Sequence, residues 1–98
     1  MPRFSANLSL LFGELPLLER FSAARDYGFL AVEIQFPYET PAEHIKTQID
    51  LTGLELVLIN VPAGDLMNGG EGLAAVPSKR QEFIDAVYKA AEYADILR

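Results

Sequence analysis

A strand, a helix and a glycine followed by an apolar residue occur in that order twice in this chain, and a third strand and helix follow. Arg3 to Leu10 alternates weakly in polarity and runs into Leu11-Phe12-Gly13, the pattern of a strand and a turn. Pro16 suits the first turn of a helix, and Leu17, Leu18, Phe21 and Ala24 recur at helical spacing to give one apolar face. Gly28-Phe29 has the form of a helix C-terminal cap with its hydrophobic contact. Leu30 to Phe36 is the second expected strand, closed by Pro37. Thr40-Pro41-Ala42-Glu43 spells a capping box, its helix turns Ile45 and Ile49 inward, and Gly53-Leu54 repeats the glycine–apolar ending. The third strand is Leu56 to Val61, stopped by Pro62. Ser78 to Gln81 reads as another capping box, and Phe83, Ile84, Val87, Ala91, Ala94 and Leu97 form the apolar face expected of the last helix.

The order βαβαβα implies parallel pairing through right-handed crossovers. Three parallel strands cannot close a barrel, and they leave two sheet edges unpaired. The last residues are helical, where a fourth strand is expected next. Residues 1–98 therefore read as one α/β domain of three consecutive βα units, the first part of a TIM (β/α)8 barrel truncated before its fourth strand. Edges of this kind also allow for self-association.

Composition excludes several classes. No cysteine is present, so disulfides, thiolate metal sites and cysteine nucleophiles are absent. A net charge of −6 opposes nucleic-acid binding, which needs a basic surface. The N-terminal residues lack the charged start and long apolar run of a signal peptide, and no stretch approaches the roughly 20 apolar residues of a membrane span. The expectation is a cytoplasmic protein with no membrane partner.

Between the third strand and the last helix lies a long segment, with Ala63-Gly64-Asp65 at its start and Gly69, Gly70 and Gly72 inside it. Long connections in α/β units tend to be binding loops, so Gly64 to Gly72 is expected to cover a site; a mobile surface loop is the alternative. Asp65 either binds a substrate hydroxyl or caps the loop. Asn68-Gly69-Gly70-Glu71-Gly72 is not a phosphate-binding fingerprint, because the spacing is wrong and the adjacent charge is negative.

Side chains alternate faces along a strand. Alternation puts Ser5 and Asn7 opposite Phe4, Ala6 and Leu8, and Glu33 and Gln35 opposite Val32, Ile34 and Phe36. In the third strand it groups Leu56, Leu58 and Asn60 against Val57, Ile59 and Val61. Asn7, Glu33, Gln35 and Asn60 thus gather toward the C-terminal ends of the strands, where parallel barrels build their active sites. A carboxylate in a buried strand is costly unless paired or used, which makes Glu33 the candidate catalytic group, with a structural ion pair or a solvated position as alternatives. His44, the one histidine, falls on the solvent side of its helix. No histidine or carboxylate cluster has metal-ligand spacing.

Arg3-Phe4-Ser5-Ala6-Asn7-Leu8-Ser9, Val32-Glu33, Phe36-Pro37-Tyr38, Asn60 through Asp65, and Gly72-Leu73-Ala74 with Pro77 together resemble the hydroxypyruvate isomerase family, in order and along essentially the whole chain. That family is similar to the xylose-isomerase-like TIM barrels. The resemblance implies an intramolecular oxidoreductase that interconverts hydroxypyruvate and tartronate semialdehyde, or isomerises a 2-oxo-tetronate. It implies carboxylates as acid and base, and a divalent metal (Mg or Mn) in the complete barrel that this chain alone does not bind. The family's catalytic glutamates and metal ligands lie mainly on later strands. For this chain it implies a pocket for a small hydroxy-oxo acid from Asn7, Glu33, Gln35, Asn60, Gly64, Asp65 and Glu71. Glu71 stands where the family usually places an arginine.

Overall fold

Two glycine–apolar pairs end the first two helices, and the backbone at each shows why. A computed structural model describes residues 2–98. Helix α1, Leu17–Asp26, closes with Gly28 at a φ of 93°, in the left-handed region that glycine enters without a side-chain clash. There Phe29 N–H donates to Ala24 O and Gly28 N–H to Arg25 O, which satisfies carbonyls that the helix leaves open. Helix α2, Ala42–Thr52, also closes on a left-handed glycine, Gly53, whose N–H donates to Ile49 O, and Leu54 beyond it is buried. Each ending turns the chain back under its helix and into the next strand.

The strands are β1, Ser5–Asn7, β2, Ala31–Ile34, and β3, Glu55–Ile59. They form one parallel sheet in the order β1-β2-β3. All three are shorter than alternation predicts, because the flanking residues keep isolated links without continuing the ladder. Leu8 N–H still donates to Glu33 O at 2.8 Å, and Asn60 N–H to Gln35 O at 2.9 Å.

The helices cover one face of this sheet. Leu8, Phe21, Val32, Ile34 and Ile45 are fully buried there, each worth roughly 1.5–3 kcal/mol of apolar transfer. Phe21 and Ala24 of α1, and Ile45 and Ile49 of α2, sit where helical periodicity placed them.

Four readings of the sequence change. Neither expected capping box forms. Pro41 is the N-cap of α2 with no side-chain cap, while the Thr40 carbonyl accepts the Tyr93 hydroxyl at 2.6 Å. The last helix, α3, Arg80–Leu97, starts from a tight 3-10 turn at Pro77–Lys79, and Gln81 binds Asp85 one turn on instead of capping. The docked stripe of α3 is Ala86, Tyr93 and Leu97, with Val87, Ala91 and Ala94 exposed. Tyr93 explains the rotation: its ring packs edge-on against Tyr38, and its hydroxyl needs Thr40 O.

The fourth change is in β3. Val32 pairs with Leu56 but Glu33 with Leu58, so Val57 is an extra residue, a bulge. Leu56 and Ile59 both pack on the core, and Val57 and Leu58 are both exposed. Simple alternation had placed Leu56 with Leu58 and Val57 with Ile59.

The β1–α1 connection holds an unusual conformation. Phe12 has a φ of 59°, rare for a bulky side chain. Arg20 fixes both sides of it, donating from Nη1 to Leu8 O and from Nε to Leu15 O, each at 2.7 Å.

Candidate functional site

On the face away from the helices, the register arranges the strand residues in rows. Ser5, Ala31 and Glu55 form the row nearest the N-terminal ends, and Asn7, Glu33 and Leu58 the next. Gln35 and Asn60 complete a third row at the C-terminal ends, joined through the Asn60 N–H to Gln35 O bond. Sequence alternation thus brings Asn7, Glu33, Gln35 and Asn60 onto one face, all half-buried. The bulge is what gives Asn60 this face together with a core-facing Leu56.

Two short bonds set the upper rows. Asn7 Oδ1 accepts Ser9 N–H at 2.9 Å, a local turn that ends β1 and leaves the amide –NH2 as a donor. Ser9 Oγ in turn accepts Gln35 N–H at 2.9 Å, tying the first loop to the exit of β2. Sequence reasoning missed Ser9, although a serine two residues after an asparagine is a recognisable turn signal. Glu55 was missed too, because only the bulge puts it on this face.

Among the described residues, no ion pair or side-chain hydrogen bond engages Glu33. The structural ion pair is therefore not the arrangement taken. In the sheet register Glu33 lies beside Asn7 on one strand and apolar Leu58 on the other. Together with Gln35 and Asn60 of the third row, this row can offer one proton acceptor and three carboxamides to a ligand bearing oxo and hydroxyl groups.

The β3–α3 loop is a folded unit, not an open flap. A 3-10 turn, Leu66–Asn68, follows Asp65, whose carbonyl accepts both Asn68 N–H and Gly70 N–H at 3.0 Å. Asp65 Oδ1 accepts Gly72 N–H at 3.1 Å and lies 4.0 Å from Lys79 Nζ. Of the two roles open to Asp65, capping the loop is the one the geometry displays. Gly64 is glycine for space and backbone: its φ is 59°, and a side chain there would come within 2.9 Å of buried Leu73. Glu71 is exposed between the two clamped residues Gly70 and Gly72.

Beside the mouth, Phe36, Tyr38 and Glu39 face Pro62, Met67 and Asn68 across a groove of ≈ 460 Å³. Tyr38 is anchored by its hydroxyl to Asn60 O. Burial, and secondarily the neighbouring Tyr93, push the Tyr38 phenol above its ordinary value. His44 is exposed on α2, away from these groups.

Among the described residues no three histidine or carboxylate side chains converge. Glu33 is the one carboxylate in the upper rows. These residues by themselves do not fit a divalent metal.

The fold defines a class: consecutive βα units on a parallel sheet, as in TIM-barrel proteins, with polar groups at the C-terminal strand ends. The crystal structure of an AP endonuclease, family 2, from Brucella melitensis superposes with a TM-score of 0.93 at 46% identity, covering 99% of this chain and 38% of that one. No family model matches the chain. Among curated proteins, it is 46% identical over 97 residues to the hydroxypyruvate isomerase of Escherichia coli and 43% identical to the 2-oxo-tetronate isomerase of Cupriavidus necator. Those matches take in 99% of this chain, and 38% and 37% of the two enzymes. A putative hydroxypyruvate isomerase of Homo sapiens is 46% identical over 96 residues. The resemblance to the hydroxypyruvate isomerase family thus runs along nearly the whole chain, which spans a little over a third of the length of these relatives.

Proposed function

We propose that this chain forms the substrate-binding part of a hydroxypyruvate isomerase-type barrel, acting on a small hydroxy-oxo acid in the cytoplasm. The observation that carries this reading is the placement of Asn7, Glu33, Gln35 and Asn60 on one face at the C-terminal strand ends. The reaction removes a proton beside a carbonyl, passes through an enediolate and returns the proton at the neighbouring carbon. Glu33 is the group able to take that proton, and the carboxamides are able to hold the oxo and hydroxyl oxygens. A divalent ion would stabilise the enediolate oxygen in a complete barrel. The ligands for it would have to come from residues outside this set.

A 2-oxo-tetronate is the alternative substrate, favoured by the similarity to the Cupriavidus necator enzyme. Sugar epimerisation is a further reaction open to the same barrel. Action on nucleic acid, of the kind for which the Brucella melitensis protein is named, is disfavoured by the net charge of −6. The unpaired edges of β1 and β3 favour self-association as a route to a fuller site.

The test is isomerisation of hydroxypyruvate by the purified chain, with and without Mg or Mn, alongside a 2-oxo-tetronate. Turnover that falls at least about tenfold in Glu33→Gln supports an acid–base role for Glu33. Unchanged kinetics in that variant remove Glu33 from the chemistry. Folded protein that neither turns over nor binds either acid overturns the proposed function.

A further inference from the structure

The β3–α3 loop carries an acid whose contacts all turn inward. Asp65 Oδ1 accepts Gly72 N–H, its carbonyl accepts Asn68 and Gly70 N–H, and Lys79 Nζ approaches the same carboxylate. Gly70 supplies an independent observation. A Cβ built on it would coincide with the carboxyl group of Asp65, far inside van der Waals contact. The φ of Gly70 is not positive, so its backbone would accept alanine. The obstacle to a side chain there is the Asp65 carboxylate, which would have to leave its place over Gly70.

We propose that Asp65 is a positioning residue: its carboxylate fills the space over Gly70 and holds Gly72, so that residue 71 and the wall from Gly64 to Asn68 meet the mouth in one conformation. Both neighbours of residue 71 are tied to Asp65, one through the carbonyl and one through the carboxylate. Three residues of the groove wall, Gly64, Met67 and Asn68, lie on the same clamped turn. Asp65 therefore acts through the loop and not on the ligand. The inference deepens the proposed function and rests on it for the identity of the ligand.

The chemistry separates the two roles of the acid. Asparagine keeps an Oδ1 acceptor for Gly72 N–H, whereas alanine has none. In the purified chain, amide exchange at Gly72 is expected to speed up at least about tenfold in Asp65→Ala and to stay near wild type in Asp65→Asn. Gly70→Ala is expected to release Gly72 as Asp65→Ala does. The double variant Asp65→Ala/Gly70→Ala is expected to be no worse than Asp65→Ala, because the clash partner has gone. In a hydroxypyruvate titration, Asp65→Ala is expected to bind at least about threefold more weakly, while Asp65→Asn binds like wild type.

Three results overturn the inference. The first is a Gly72 amide that exchanges without protection in the wild type. The second is strict additivity of Gly70→Ala and Asp65→Ala. The third is an Asp65→Asn variant that loses as much affinity as Asp65→Ala while Gly72 stays protected, which would put the carboxylate on the ligand. If the wild-type chain binds no hydroxypyruvate, the functional reading fails, and exchange together with the Gly70 coupling decides the clamp without it.

Discussion

Arg20 offers the sharpest energetic test of the β1–α1 connection. Its guanidinium donates to Leu8 O at the end of the first strand and to Leu15 O just before α1. Between those carbonyls the chain passes through the left-handed Phe12, a conformation a bulky residue adopts only when its surroundings hold it there. Hydrogen bonds from a charged donor contribute about 1.5–3 kcal/mol each. Arg20 is only half-buried, so the lower end applies, and the pair should contribute about 3 kcal/mol. Arg20→Met keeps most of the aliphatic stem and removes both donors. Its midpoint of thermal unfolding should fall by about 12–24 °C, at about 4–8 °C per kcal/mol for a domain of this size. Arg20→Lys should recover part of the loss, since one ammonium cannot take the place of a two-pronged fork. Urea unfolding gives the same difference without heating. A loss below about 0.5 kcal/mol in Arg20→Met would refute the reasoning, because it would mean that water replaces the guanidinium at no cost.

Tyr93→Phe leaves the Thr40 carbonyl without its side-chain donor while keeping the ring against Tyr38, and should cost about 1–2 kcal/mol in urea unfolding with no change in slope. Tyr38 gives a pH dependence with a definite sign. Its folded value is raised, so its contribution is fully present below the ordinary phenol value and is lost as pH rises through the folded one. The urea midpoint should therefore fall as pH rises above the ordinary phenol value of 10.0, and more steeply in the wild type than in Tyr38→Phe; equal slopes would contradict it.

The parts of the fold that were legible in the sequence depend on local chemistry. Gly28 and Gly53 announced helix ends because only a left-handed residue closes them, and Phe21, Ala24, Ile45 and Ile49 declared their faces through spacing. The cap residues misled because Pro41 took the N-cap position itself and Thr40 gave its carbonyl to a residue 53 positions away. Long-range demands of that kind leave no local pattern. They also turned α3, whose apolar residues are spread widely enough to fit several faces. At the candidate site, Asn7, Glu33, Gln35 and Asn60 were found by alternation, whereas the inward use of Asp65 was one of two open roles. The bond from Gly72 N–H to its carboxylate and the position of Gly70 beneath it distinguish them.

The extra residue in β3 divides that strand into two independently phased halves. Below Val57 the odd-numbered Glu55 faces away from the helices; above it the even-numbered Leu58 and Asn60 do. A substitution in the lower half can therefore change what fills the bottom of the sheet without turning Asn60 out of the mouth, because the bulge at Val57 uncouples the facing of the two halves. Drawing Val57 into the ladder would do the opposite: it would force one half of the strand to trade sides, setting Asn60 against the core or Leu56 against the open face. Deleting Val57 would instead restore plain alternation, with Leu56 and Ile59 on the core and Leu58 and Asn60 facing away.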